Sequence, residues 1–305
     1  MQLCSLLAER NWRIMASSRR RDQRLDIPGV VSEYLPFLTE SASWQQALRS
    51  VDCVVHLAAL VHQIRRDPAL DHEFVEINIE GSRFLAEQSA RAGVKRFVFL
   101  SSSKVNGEGN ESRAYRADDV PAPEDSYARS KLAAELAISE VCDRSAMELV
   151  IVRSPLIYGP GVRANFARLM KISATGLPLP LAGIKNCRSM VGVTNLVDFL
   201  ETCMRHPKAA GHVWLVSDGE DLSTPDMIRR LACAMRRPAR LFAISPSVLQ
   251  AVANFLGRGE ELARLCNSLT LDSQPARDIL DWEPPLSVDE GFMQTVNAFF
   301  SQVKK

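Results

Sequence analysis

No two of the seven cysteines stand in a C-x-x-C, and the five histidines show no pairing at metal-ligand spacing. Neither a redox dithiol nor a metal centre is therefore expected. Several cysteines sit inside apolar stretches, where a free thiol behaves as a small core residue. No apolar run approaches the roughly 18–20 residues that cross a bilayer. Glu9 and Arg10 place charge too early for a signal peptide, so the chain reads as cytoplasmic. A net charge of +1 over 305 residues gives no field that would call for nucleic acid or an anionic membrane as partner. Arg19, Arg20, Arg21 and Arg24 form the one dense basic run, readable as a solvated loop or as an anion-binding one. There are no internal repeats and no low-complexity tail.

What is present is the composition of an ordinary globular protein, 46% hydrophobic and 24% charged, long enough for one large or two modest domains. Met1–Arg10 reads as a short amphipathic helix and Trp12–Ser17 as a strand. Val51–Ala58 is an apolar, β-branched run of buried-strand length. Residues 69–92 read as one long helix stopped by Gly93. Lys95–Leu100 gives a strand that breaks into Ser101, Ser102 and Ser103. A helix over Ser126–Arg144 and a strand over Leu149–Arg153 follow. This alternation predicts right-handed βαβ units and a parallel sheet covered on both faces. Ligands of such sheets bind beyond the carboxyl ends of the strands, here around His56, Ser102 and Ser154. From Tyr158 onward Pro, Gly and loop residues loosen the pattern. A helix near Asn195–Arg205 and a strand over Val213–Val216 interrupt it. A smaller, mixed second domain of substrate-binding type is expected there.

The strongest chemical signal is Tyr127-x-x-x-Lys131. Residues four apart share a helix face, so a phenol and an ammonium can border one cavity. A cation about 4 Å from the phenol, at an effective dielectric near 20, favours phenolate by roughly 4 kcal/mol. That corresponds to about 3 pKa units and predicts a phenol near neutrality, where general acid–base catalysis works best. The competing reading is an exposed helix on which the spacing is accidental. Against it, the serines that end the preceding strand can supply a hydroxyl to the oxygen that Tyr127 protonates, although serines also favour plain turns.

These segments together resemble the extended short-chain dehydrogenase/reductases, specifically the NAD-dependent epimerase/dehydratase group with its UDP-glucose and UDP-N-acetylhexosamine 4-epimerases and 4-keto-sugar reductases. The matching stretches are His56–Ala59, Asn78–Gly81, Ser101–Gly107, Tyr127–Lys131, Arg153–Gly161, Arg188–Asp198 and Ala276–Pro285. They stand in the family's order and cover nearly the whole chain. The resemblance implies a Rossmann-like doubly wound α/β sheet in residues 1–160, regaining segments near 193–216, with 161–305 mainly a nucleotide-sugar domain. It implies a catalytic set of Ser102, Tyr127 and Lys131, and a cofactor set of Ala58, Ala59, Asn78, Tyr127, Lys131 and Pro155. Ser103, Asn165 and Arg188 are implied on the substrate side; a guanidinium suits a diphosphate because its donors pair bidentately with phosphate oxygens. For Arg188 the bland alternative is a surface salt bridge. His56 reads as a structural strand residue. The implied activity is oxidoreduction at C4 of a nucleotide-diphosphate sugar for surface-polysaccharide synthesis, with NAD or NADP and in a homodimer. A non-catalytic protein on the same fold, or a reductase of a non-sugar ketone, are the alternatives.

The chain departs from that pattern in three places. A dinucleotide-binding domain opens with a strand and a glycine turn that lets the pyrophosphate approach a helix N-terminus. Here the first glycine is Gly29, and Met1–Arg10 resembles the helix that follows such a turn. The sheet is thus expected to lack its first strand, and a start placed about ten to twenty residues upstream is the expected explanation, a genuinely shortened relative the other. Where NAD-specific members carry an acid, Ser17, Ser18 and Arg19 stand; Arg19 would suit the 2′-phosphate of NADP. Asn106 replaces a tyrosine common in relatives.

Overall fold

The computed structural model describes residues 1–18, 25–34, 44–61, 68–110, 113–162, 164–255, 257 and 259–303. The chain opens with helix α1 (Gln2–Glu9), strand β1 (Ile14–Ser18) and strand β2 (Val30–Tyr34). Strand β3 (Cys53–His56), helix α2 (Pro68–Phe74) and, after a π-helical turn over Val75–Glu80, helix α3 (Gly81–Arg91) follow. The helix expected over 69–92 is therefore broken into α-helical pieces by a π-turn. Gly93 takes φ +79 just beyond it, a conformation open to glycine without penalty. Strand β4 (Arg96–Ser102), helix α4 (Ser126–Asp143), strand β5 (Glu148–Ser154) and the short strand β6 (Leu156–Tyr158) continue the pattern. Helix α5 (Ala164–Thr175), strand β7 (Met190–Gly192), helix α6 (Val193–Arg205), strand β8 (His212–Leu215) and helix α7 (Thr224–Ala234) come next. Helices α8 (Pro246–Phe255), α9 (Gly259–Cys266), α10 (Gln274–Leu280) and α11 (Val288–Val303) complete the chain.

Four parallel strands pair in the order β3-β4-β5-β8, with Val98 opposite Val55 on one side and Val150 on the other. Alternation along β4 divides its burial between two layers. Phe97 and Phe99 face Leu85 and Ala86 of α3 and Ala134 and Ile138 of α4. Val98 and Leu100 face Leu3 and Leu7 of α1 and Leu196, Phe199 and Leu200 of α6. This is a doubly wound Rossmann-like sheet.

β1 and β2 form a separate parallel pair. Among the described residues no strand links β1 to β3, so the sheet lacks the strand expected between them. Ile14 still packs into the α1–α6 layer together with Cys53 and Val55, and Met15 into the α3–α4 layer together with Val54. The break interrupts hydrogen bonding while both apolar layers continue across it.

Beyond β5 a further cluster gathers Tyr158 of β6 with Phe166, Met170, Met227, Ile228, Leu231, Phe292 and Val296 from α5, α7 and α11. The Tyr158 hydroxyl donates to Asp218 at 2.7 Å, and Asn195 and the Gly192 amide donate to the same carboxylate. Gly291 lies so close to this phenol that a Cβ there would stand 2.7 Å from its oxygen.

Ile138 is fully buried on α4 beneath Phe97 and Phe99. Ile138→Ala is expected to lower stability by about 2–5 kcal/mol, read as a shifted urea midpoint with an unchanged slope. A loss under about 1 kcal/mol would show that α4 does not pack as described.

Candidate active site

The carboxyl ends of β3, β4 and β5 bring most of the expected residues to one edge. β4 ends at Ser102, in register with Ser154 of β5. The Ser102 Oγ caps the short 3-10 turn that follows, accepting from the Lys104 amide at 3.3 Å. That turn is tied to the start of α4 by charge. The Lys104 ammonium meets Asp125 at 2.6 Å, and the other Asp125 oxygen accepts from the Ala128 amide at 2.7 Å, the usual service of an N-cap aspartate. One carboxylate thus fixes where α4 begins and where it stands relative to Ser102. Tyr127, the second residue of α4, has its phenol close enough to Ser102 for that hydroxyl to bear on its ionisation, and lies 6.4 Å, centroid to centroid, from Phe74.

Lys131, one turn further on, is 2% exposed. Its Nζ donates to the Leu100 carbonyl at 2.8 Å and lies 3.9 Å from the centre of the Phe99 ring. His56 also stacks on Phe99 at 5.5 Å and shares a 2.9 Å hydrogen bond with Ser82. Burial, and after it the Lys131 charge, lower the His56 pKa to about 3, so this imidazole stays neutral and structural.

The electrostatics overturn one expectation. Burial, and after it the Asp125 charge, raise the Tyr127 phenol to about 12, against a smaller opposing effect of the Ser102 hydroxyl. Burial lowers Lys131 to about 7, against a smaller opposing effect of Glu135. The sequence argument placed the cation beside the phenol. In the structure the ammonium is turned to a backbone carbonyl and an aromatic face, so the neutral-range ionisation belongs to the lysine.

Asn78 sits on the π-turn, 1% exposed, and braces the loop after β3. Its Oδ1 accepts from the Leu60 amide at 2.7 Å; its Nδ2 donates to the Leu60 carbonyl and to Ser130 of α4. Ala58 is exposed and Ala59 half-buried at the end of β3, while Pro155 is buried just past β5 and Ser103 is 3% exposed. Arg188 has its backbone paired with Leu222 and its Nη1 donating to the Asn267 carbonyl at 2.9 Å. Burial lowers its pKa while Glu108 opposes. Arg19 lies outside the described residues, as does the side chain of Asn165 on α5.

A buried polar network was missed by the sequence reading. Glu135, one turn beyond Lys131, receives Nε of Arg153 at 3.0 Å and Nη2 at 2.6 Å, and also the Ser101 hydroxyl. Arg153 Nη1 continues to Asn106 at 3.1 Å, and Asn106 donates to the Arg116 carbonyl at 2.9 Å. The signal was legible as a Tyr127, Lys131, Glu135 ladder at four-residue spacing. Asn106 thereby has a structural role, tying β5 to the loop around Arg116. Among the described residues no group of three or more His, Cys, Asp or Glu side chains could hold a metal.

Comparison with known proteins places these features in context. Residues 1–217 match the NAD dependent epimerase/dehydratase family. A UDP-glucose 4-epimerase of Vibrio cholerae is 40% identical over 265 residues, 86% of this chain and 81% of that protein. The solved structure of MoeE5 with UDP-glucose and NAD superposes with a TM-score of 0.75 at 22% identity, covering 99% of this chain and 95% of MoeE5. A Thermotoga maritima UDP-glucose 4-epimerase with UDP-glucose gives 0.74 at 19% identity, covering 99% and 95%. At those identities the two structures speak for the fold.

Two outcomes follow from the buried charges. Arg153→Met strands the Glu135 carboxylate and is expected to cost about 3–5 kcal/mol in urea unfolding, whereas Glu135→Leu with Arg153→Met recovers most of the loss. For Lys131, the folded-state pKa of about 7 lies below its ordinary 10.5, so the unfolded chain holds the extra proton between those values and stability rises with pH across that window. Thermal melts should therefore show Lys131→Met gaining on the parent as pH falls from about 10 towards 6; a pH-independent difference would refute the buried, depressed lysine.

Proposed function

The chain belongs to the NAD dependent epimerase/dehydratase family, and on that premise we propose that it inverts C4 of a UDP-hexose or UDP-N-acetylhexosamine. The observation that carries this reading is the contact between Ser102 and Tyr127 at the carboxyl end of β4, with Lys131 buried beneath the same helix face. The half-buried Ser102, rather than the buried Ser103, supplies the hydroxyl that shares the substrate's O4 with Tyr127. Tyr127 takes the proton from O4 and later returns it. Its raised phenol makes the protonated state the resting one, so taking the proton from O4 requires a cation brought nearer the phenol to lower its pKa. Arg188 takes the diphosphate, where bidentate donors orient the sugar.

The residues present fit the nicotinamide end of NAD. Ala58 and Ala59 put small side chains at the end of β3, Pro155 closes the end of β5, and Lys131 gives a cation beside Tyr127's turn of helix. NAD, when bound, supplies the hydride acceptor and donor at C4. For the pyrophosphate end the first 28 residues contain no glycine, so no glycine turn within them fits that group. We take residues 1–160 with 193–216 as the cofactor part and 161–305 as mainly the substrate part. NAD is preferred to NADP because MoeE5 holds NAD beside its UDP-sugar. The 4-keto-reductase reading rests on Arg19 and its fit to a 2′-phosphate.

The test is turnover of UDP-glucose to UDP-galactose with NAD, set against a UDP-4-keto sugar with NADPH. Conversion without net cofactor consumption, with kcat falling about 10²–10⁴-fold in Tyr127→Phe and KM little changed, is the expected result. Stoichiometric NADP+ would replace the epimerase reading with the reductase one. Activity undiminished in Tyr127→Phe would remove Tyr127 from the chemistry.

A further inference from the structure

Helices α8 and α9 form a hairpin whose chemistry is inverted. From Leu241 to Gly257 the sequence has no charged residue across seventeen positions. On α8 the described exposed side chains are Ser247, Val248, Ala251, Asn254 and Phe255, spaced to form one stripe along the helix. Leu249, Gln250 and Ala253 turn inward and are partly covered. A helix lying on a globular protein in water shows charge on its outer stripe. This one shows Val248 at 53% and Phe255 at 91% exposure. The strand-like segment leading into α8 adds to the surface. Phe242 is 45% exposed, and its amide pairs with the carbonyl of Leu179, just beyond Leu177 at 62%.

Cations border this apolar surface. Arg236, Arg237 and Arg240 are exposed immediately before it. Arg258 and Arg264 follow in the sequence, so residues 236–264 carry five arginines against Glu260 and Glu261. Apolar side chains that enter an acyl boundary, flanked by arginines at phosphate depth, mark a segment that lies in a membrane interface. Ten residues of α8 extend only about 15 Å, half of a bilayer core. Among the described residues no helix is long and apolar enough to cross a membrane, so the hairpin would lie in the plane.

We infer that the α8–α9 hairpin docks this protein on the surface of an anionic phospholipid bilayer, Val248 and Phe255 entering the interface and the exposed Arg236 and Arg240 meeting lipid phosphates. A second copy of the chain fits less well, because a self-complementary contact would bring the arginine clusters of two copies together. The hairpin's far end is fastened to the substrate side of the crevice. The Asn267 carbonyl accepts from Arg188, and the Leu265 carbonyl from Asn186 and the Thr224 hydroxyl. Docking would therefore hold the Arg188 edge close to the membrane. The inference does not depend on the proposed catalysis, since its readout is lipid binding.

The experiment is vesicle flotation of the full chain with phosphatidylcholine alone and with about a third phosphatidylglycerol, across a salt series. The full chain should float with anionic vesicles, lose binding as salt rises, and bind at least about tenfold more weakly as Val248→Asp/Phe255→Asp. Arg236→Gln/Arg240→Gln, which leaves the apolar stripe intact, should weaken binding to anionic vesicles alone. Failure of the parent chain to float, or equal flotation of the aspartate variant, would overturn the inference. So would light scattering that shows a concentration-dependent oligomer dispersed by the aspartates while vesicles bind nothing.

Discussion

A carboxylate and a guanidinium, both almost out of reach of water, hold the reactive edge together. Glu135 belongs to α4 and Arg153 to β5, with side-chain exposures of 4% and 5%. Their paired hydrogen bonds fix the rotation of the helix against the sheet, and therefore the direction in which Tyr127 and Lys131 point from the turns below. The same carboxylate accepts from Ser101 at the end of β4, and the same guanidinium reaches Asn106 in the turn beyond Ser102. A buried pair of this kind adds little net stability compared with an apolar substitute, because its desolvation nearly cancels its attraction. What it supplies is register: three elements meet at one geometry, and a slip of the helix would break several charged hydrogen bonds at once.

Four-residue spacing correctly puts a phenol and an amine on one side of α4. It says nothing of what lies underneath. Here the Leu100 carbonyl and the Phe99 ring offer the ammonium a better place than open space beside the phenol. Desolvation then moves the two groups in opposite senses, the phenol up and the amine down, because each loses the hydration of its charged form. The pair is poised as a neutral donor above a cation that gives up its proton easily.

Much of this was readable in the chain itself. Buried strands announced themselves as short β-branched runs, and helix α4 through its serine-rich start and apolar spacing. The Tyr127–Lys131 spacing on α4 stood out in the residues themselves, whereas Ser102 was singled out among three consecutive serines only through the family resemblance. The pieces not found share a cause. The π-turn around Asn78 leaves no compositional trace, since it changes hydrogen-bond partners without changing periodicity much. The strands β6 and β7, three residues each, are too short for a period to register. The partners of Glu135 are eighteen and thirty-four residues away in sequence, so only the folded chain shows them together. Likewise a net charge near zero averaged away the basic border of the α8 hairpin, which is a local segregation rather than an excess.

The break between β1 and β3 bears on how the molecule opens. A two-stranded ribbon has little independent stability, and among the described residues β1–β2 has no ladder to the larger sheet. Its attachment rests on side chains such as Ile14 and Met15 that reach the two apolar layers. Packing of that kind loosens in small steps, whereas a continuous ladder tends to resist until it gives way as a unit. The ribbon should therefore behave as its own cooperative unit, exchanging its amide hydrogens through partial openings while β4 and β5, paired on both sides, exchange only when the whole protein unfolds. The fold thus contains a soft flank and a rigid centre, and the reactive edge stands on the rigid part.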